Sequence, residues 1–199
     1  VVSSSRADFD LLKNVILKLK LIKNFNLKFL VTGAHLNKKF GNTVNFIKSN
    51  KIKIDKKIKY TYGGQTSSTM SKQIGETLGK FSNYFLLNKS DLVIVLGDRF
   101  EIFAVSLAAY INLVPIAHIH GGEVTEGSLD DNFRHSISKF SSLHFVAESR
   151  FKKRLINLGE HPNSIHNIGY LAYENILENK LFSKKIIENK LTIKLNKNK

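Results

Sequence analysis

DLVIVLGDRFEIFAVSLAAYINLVPIAHIHGGEVTEGSLDDNFRHSISKFSSLHFV, residues 91–146, carries two strand-to-helix passages one after the other. The run Leu92–Leu96 is β-branched and apolar on both faces, as a central parallel strand buried on both sides requires. It ends in Gly97-Asp98-Arg99, so a carboxylate and a guanidinium stand where the strand gives way to a helix. The second apolar run, 115–119, ends in His120-Gly121-Gly122-Glu123 and leads to Asp130-Asp131. In open α/β sheets ligands lie outside the carboxyl ends of the strands, so both strand ends address one crevice. Of 26 lysines in the chain, only Lys139 falls between Asp91 and Arg150, so this stretch excludes a residue that the chain otherwise uses freely.

Working outward, strands and helices alternate throughout, which predicts an α/β fold: a Rossmann-like, doubly wound parallel sheet. Val1-Val2 ends a first strand, and the serines at 3–5 turn into a helix over 8–24 with apolar residues three and four apart. Further strands are expected at 27–32, 52–58, 116–120, 143–147 and 165–168. The segment 52–58 alternates isoleucine with lysine, as a half-exposed strand near an edge does. Helices are expected at 37–49, 67–87, 100–111, 130–140, 150–158 and 170–179. The charged stretch beyond Lys180 offers no clear packing face.

Composition narrows the function. A formal charge of +15 invites a nucleic-acid reading. The basic residues are lysines scattered among Asn and Ile, without an RNP motif, a zinc finger or aromatic–basic interleaving, so no nucleic-acid partner is expected. There is no cysteine, which excludes disulfides and thiolate metal sites. No apolar run reaches the roughly 20 residues that span a bilayer, and no signal peptide is visible, so no membrane partner and a cytoplasmic location are expected. Both ends read as cut, the first lacking part of a strand and the second a whole further lobe.

Each candidate site residue has a plain structural alternative. The turn at 3–6 stands where dinucleotide folds carry G-x-G-x-x-G, and that fingerprint is absent. Arg6 and the serines could hold a phosphate at a helix N-terminus, or simply cap the helix. Arg99 can offer a planar fork to phosphate, or pair with Asp98 as a cap. His118 and His120, two apart on a strand, would share one face. With Glu123 and His135 they reach a zinc ligand count, although hydrogen-bonding or acid–base roles suit them better. Gly121-Gly122 permits close approach of a ligand or a positive φ. On the helix from Asp130, Asp131 and His135 share a face, as do Asp130 and Arg134. The 152–154 basic run reads as a solvated helix face, and His144, His161 and His166 as structural or exposed.

VVSSSRADFDLL (1–12), GDRFE (97–101), HIHGGEVTEGSLDDNFRHSISKFSSLHFV (118–146) and NIGYLAYENI (167–176) resemble the hydrolysing UDP-N-acetylglucosamine 2-epimerases, in their sialic and legionaminic acid branch. The resemblance implies the N-terminal lobe of a two-lobed glycosyltransferase-B-type fold. It divides the chain into a Rossmann-like lobe (1–169) and a connector (170–199) toward a C-terminal lobe. It implies elimination of UDP from UDP-N-acetylglucosamine, then addition of water to give N-acetylmannosamine. A UDP- or GDP-linked N,N'-diacetylbacillosamine is the alternative substrate, and an inactive nucleotide- or partner-binding lobe the alternative of another class. Asp98, Glu123 and Asp131 fall on the family's essential acids. Arg6 and Arg99 fall where the family contacts the nucleotide. Asp10 stands where relatives carry Gly or Ser beside it, and His120, Arg134 and His135 complete the substrate-binding set. No cofactor and no catalytic metal are implied. The partners implied are the UDP-sugar, the C-terminal lobe and, at full length, further copies of the same chain.

Overall fold

A computed structural model describes residues 1–64, 66–178 and 183–194. Among the described residues seven parallel strands run in chain order: β1 (Val2–Ser3), β2 (Leu30–Val31), β3 (Lys56–Lys57), β4 (Val93–Leu96), β5 (Ile116–Ile119), β6 (Leu143–Val146) and β7 (Ile165–Asn167). Hydrogen bonds join β1-β2-β3 and, separately, β4-β5-β6-β7. β1 lies beside β4. The lateral order is therefore 3-2-1-4-5-6-7, with its reversal point between β1 and β4, where a doubly wound sheet opens its ligand crevice.

Neighbouring strand residues divide between two cores, as the two-residue period of a strand demands. Val2, Leu30, Val93, Val95 and Ile116 face a core closed by α3 (Ser67–Leu87), α4 (Phe100–Ile111) and α5 (Leu129–Phe140). Val1, Val31, Leu96 and Ile119 face the other, closed by α1 (Arg6–Leu21) and α2 (Val44–Ser49). The run of small residues in α4 serves this packing: Ala104, Ala108 and Ala109 are fully buried. α6 (Ser149–Asn157) covers β6 and β7 through Phe151 and Leu155. α7 (Leu171–Glu178) docks on α1, with Asn175 donating to the Asp10 carbonyl at 2.6 Å and accepting from Asn14 at 2.9 Å. α8 (Lys184–Leu191) has no buried residue. The tail expected beyond Lys180 is thus in part helical, and its residues 195–199 lie outside the described set.

Several expectations fail locally, among them the strand expected at 27–32, which is formed only at Leu30–Val31. The helix expected at 37–49 is interrupted, because Gly41 (φ +78°) and Asn42 (φ +48°) adopt left-handed conformations. Two 3-10 turns, at Gly33–Leu36 and Lys38–Phe40, precede a short α2. The strand expected at 52–58 pairs only at Lys56–Lys57. Asp55 breaks its alternation, using its carboxylate to accept the Phe29 N–H at 2.9 Å. The edge position holds, since β3 pairs with β2 alone.

Candidate active site

The first strand end is closed by the protein's own carboxylate. Asp8 Oδ2 accepts from the Ser4 N–H, the Ser4 hydroxyl and the Ser5 N–H at 2.7–2.9 Å, and Oδ1 from the Ser5 hydroxyl at 2.6 Å. Ser5 in turn caps α1, forming a capping box with Asp8. Arg6 points outward, 3.6 Å from Asp10 and over the Phe46 ring. Behind this turn His35 is fully buried between the Ser3 hydroxyl (2.9 Å) and the Thr43 hydroxyl (2.7 Å), and burial pulls its pKa down to about 4.

At the end of β4, Asp98 and Arg99 go separate ways, so the direct Asp98–Arg99 cap does not form. Arg99 sits at the N-cap of α4 without a side-chain cap bond, and its guanidinium meets Glu101 (Nε to Oε2 3.2 Å, Nη2 to Oε1 3.3 Å). Glu101 is buried and also accepts from the Tyr60 hydroxyl at 3.0 Å. Burial works against the Arg99 charge, but Glu101, together with Asp8 and Tyr60, leaves the pKa above the usual arginine value. Glu101 went unnoticed in the sequence, although it is the one charge in the apolar helix FEIFAVSLAAYI.

Asp98 pairs instead with Arg134. Arg134, buried in α5, ties four groups together: the Asp98 carboxylate, Glu123 Oε2 (3.3 Å), the His120 carbonyl (3.1 Å) and the Thr125 hydroxyl (3.1 Å). One guanidinium thus gathers an acid from the end of β4, an acid from the loop after β5, and that loop's backbone. Burial raises the Asp98 pKa; Arg134 opposes the shift, while Asp130 and Asp8 add to it.

His118 and His120 do not share a face. His118 lies in β5, whereas His120 follows it with φ +66°, a left-handed turn that sends its ring elsewhere. The fully buried His118 joins the Gly97 carbonyl (2.8 Å, Nε2) to the Ser138 hydroxyl (3.0 Å, Nδ1). A carbonyl only accepts, so Nε2 carries the proton, and Nδ1 faces the Ser138 hydroxyl, whose one hydrogen the Arg134 carbonyl (3.1 Å) also draws. Burial pulls the His118 pKa down to about 3. His118 therefore has no nitrogen left for a metal. Among the described residues no three His, Asp or Glu side chains are grouped to hold one.

His120 Nδ1 stands 2.7 Å from Glu123 Oε1, an ion-pair contact outside hydrogen-bond geometry. Asp131 accepts the Thr125 N–H at 2.8 Å and lies 3.5 Å from His135 Nε2. The helix cap itself is Ser128, which accepts from Asp130 N–H, so neither acid is merely a cap. His120 Nε2, Arg134 Nε and His135 Nδ1 are buried without a partner among the described residues. A buried polar atom left so costs about 1–3 kcal/mol, and such atoms gather where a ligand or water is to be bound.

The Gly121-Gly122 pair serves the protein rather than a ligand. A Cβ on Gly122 (φ +74°) would lie 2.6 Å from the Phe151 carbonyl, and one on Gly121 would lie 2.9 Å from the Ser138 hydroxyl. The basic run of α6 is not simply solvated either: Arg154 donates to the Gly122 carbonyl (2.7 Å) and Lys152 to the Ile165 carbonyl (2.8 Å), leaving Lys153 exposed. His144 is buried against Glu160, His161 caps a 3-10 turn, and the exposed His166 stacks on Phe145. A cleft of about 650 Å³ adjoins the site through Gly33 and Tyr60. None of the three acids lines it.

Fold and site together define one α/β lobe of the two-lobed, glycosyltransferase-B-type kind. Its backbone superimposes on a crystal structure of UDP-N-acetylglucosamine 2-epimerase with a TM-score of 0.83 at 21% identity, over 94% of this chain and 52% of that one. A Neisseria meningitidis UDP-GlcNAc 2-epimerase bound to UDP-GlcNAc gives 0.79 at 21% identity, over 96% and 50%. A family model described as UDP-N-acetylglucosamine 2-epimerase matches residues 17–199. The chain belongs to this family. It is 39% identical to the Campylobacter jejuni GDP/UDP-N,N'-diacetylbacillosamine 2-epimerase (hydrolyzing), over 99% of this chain and 51% of that protein. It is 37% identical to the Escherichia coli polysialic acid biosynthesis protein P7, over 94% and 48%. It is 38% identical to the Legionella pneumophila UDP-N,N'-diacetylbacillosamine 2-epimerase (hydrolyzing), over 90% and 47%. The chain thus spans about half the length of the curated relatives it matches. Among the described residues no helix is long and apolar enough to cross a membrane.

Proposed function

We propose that the chain is the N-terminal lobe of a hydrolysing UDP-N-acetylglucosamine 2-epimerase, which removes UDP from its substrate and adds water to yield N-acetylmannosamine. The observation that carries the reading is the pair of acids, Asp98 and Glu123, held on the single Arg134 guanidinium at the mouths of β4 and β5. Elimination needs one group to take the C2 proton and another to assist the departing UDP, and hydration needs a placed water. Carboxylates in different surroundings divide such tasks. Asp98, whose pKa burial raises, is suited to hold a proton and return it. Glu123 and Asp131 supply the remaining acid–base positions. In this reading Arg99, at the reversal point between β1 and β4, takes the diphosphate, and Arg6, at the start of α1, serves the nucleotide. His120 and His135, each with an unpartnered buried nitrogen, address the sugar. A second lobe would close the cleft from the other side, and nonulosonic acid synthesis in the cytoplasm would consume the product.

The identities of 39% and 38% to proteins named as diacetylbacillosamine 2-epimerases favour a second reading, in which the sugar carries two acetamido groups. The full-length protein, incubated separately with UDP-N-acetylglucosamine and with UDP-N,N'-diacetylbacillosamine, separates the two. Release of UDP with N-acetylmannosamine supports the first reading, and turnover of the bacillosamine donor alone replaces it with the second. Failure with both, by a folded protein, leaves a binding lobe without chemistry.

A further inference from the structure

The pair formed by Glu101 and Arg99 plays no part in the acid–base argument, yet it is an ion pair with one partner fully inside the protein: side-chain exposure is 2% for Glu101 and 40% for Arg99. Glu101 grips one edge of the guanidinium, through Nε and one hydrogen of Nη2. Arginine has five N–H donors. The opposite edge, Nη1 with the second Nη2 hydrogen, keeps the fork that matches two oxygens of a phosphate. The carboxylate is fixed from behind. Tyr60 donates to Oε1, and Gly33 (φ +58°) passes so close that a Cβ there would lie 2.9 Å from the same oxygen and 2.7 Å from the Ser4 carbonyl. Gly33 after β2 and Tyr60 after β3 therefore meet on Glu101.

We propose that Glu101 is a positioning residue, which orients the Arg99 fork toward the crevice between β1 and β4 so that it binds the diphosphate of the nucleotide sugar. This rests on the substrate reading above. Glutamine at 101 offers one acceptor oxygen in place of two and carries no charge, so it cannot hold both Nε and Nη2. A freed Arg99 swings with the rotamer freedom of a long side chain, and binding then has to fix it again.

The experiment compares Glu101→Gln, Arg99→Lys and the double variant in the full-length protein, measuring Kd for UDP together with KM and kcat for UDP-N-acetylglucosamine. Glu101→Gln is expected to raise Kd and KM about tenfold, as loss of a charged hydrogen bond does, with a smaller change in kcat. In the Arg99→Lys background the same change should add less than about twofold, because a residue that acts through another loses its effect when that partner is gone. Values within about twofold of wild type for folded Glu101→Gln would overturn the proposal, as would an equal effect in both backgrounds. Should Glu101→Gln not fold, Glu101→Asp keeps the charge and withdraws the carboxylate by one methylene, and the same comparison decides. The side-chain Nε–H resonance of Arg99 gives a reading without any ligand. It should be shifted and slow to exchange in wild type and resemble free arginine in Glu101→Gln; a wild-type signal already like free arginine overturns the proposal. If wild type binds no UDP, the substrate reading falls, and that resonance still decides whether Glu101 holds the fork.

Discussion

Arg134 shows how far one side chain can carry a site. It neutralises two carboxylates from separate strand ends while itself 8% exposed, so removing it strands two acids at once. Breaking a buried ion pair from one side costs about 3–5 kcal/mol. Arg134→Met should therefore lower unfolding stability by roughly 3 kcal/mol in a urea titration, since the partly solvated acids can still find water. The acids should behave in the opposite way. Asp98→Asn gives up a carboxylate that burial already penalises, and the amide oxygen can still accept from Arg134. Asp98→Asn, Glu123→Gln and Asp131→Asn are each expected to stay within about 1 kcal/mol of wild type in stability, the range of ordinary substitutions. Each should lose about a hundredfold or more in turnover in the full-length protein, the usual cost of an acid–base group. Near-normal turnover in any one, with a folded protein, removes that residue from the mechanism. At this scale the sequence was poor on how the residues pair. Arg99 and Asp98 are adjacent in the chain, yet each is paired elsewhere, because partners at strand ends are chosen across the sheet.

At the scale of elements, the loop from His120 to Ser128 depends on backbone more than on side chains. Gly122 is left-handed and lies against the Phe151 carbonyl of α6, while its own carbonyl accepts from Arg154. Gly122→Ala combines positive φ with a Cβ placed 2.6 Å from that carbonyl. Strain of this kind is worth about 1–3 kcal/mol, so the urea midpoint should fall accordingly, and activity should fall further as Glu123 shifts. An unchanged midpoint would mean that α6 can retreat without loss. The elements legible in the sequence were those with a strong, uninterrupted period. The helix at 67–87 and the helix at 100–111 fall at the residues expected, and the buried strand at 93–96 ends where Gly97 does. Legibility stopped where a local conformation overrode the period. Gly41-Asn42 cut a helix, Asp55 spent its side chain on a backbone N–H, and His120 left the strand one residue early. That last turn separated two histidines that alternation had placed together, and with them went the metal ligand count.

The whole molecule keeps several histidines neutral and inside. Burial draws His118 to about 3, His35 to about 4, and His144 also below the ordinary value, where Glu160 partly restores it. In the unfolded chain each titrates near about 6.5. A folded pKa below the unfolded one means that the unfolded state binds more protons between the two values. Stability is then complete above about 6.5 and is lost as pH falls toward the folded pKa. Each such group changes stability by up to about 1.4 kcal/mol per pH unit inside its window, so His118 and His35 together approach roughly 3 kcal/mol per unit, and His144 acts in the same direction. Asp98 acts with the opposite sign: its raised folded pKa means that protonation below that value favours the fold, and it offsets part of the loss at the acid end. The expected outcome is a urea midpoint nearly constant from pH 8 to 7 and falling steeply from about 6.5 to 4. His118→Gln should start less stable at pH 8, through imperfect bonds to Gly97 and Ser138, and fall less steeply, because one of the titrating groups is gone. A midpoint that stays level down to pH 5 would show that these imidazoles find water or a partner when protonated, and that the two cores on either side of the sheet are less closed to charge than their packing implies.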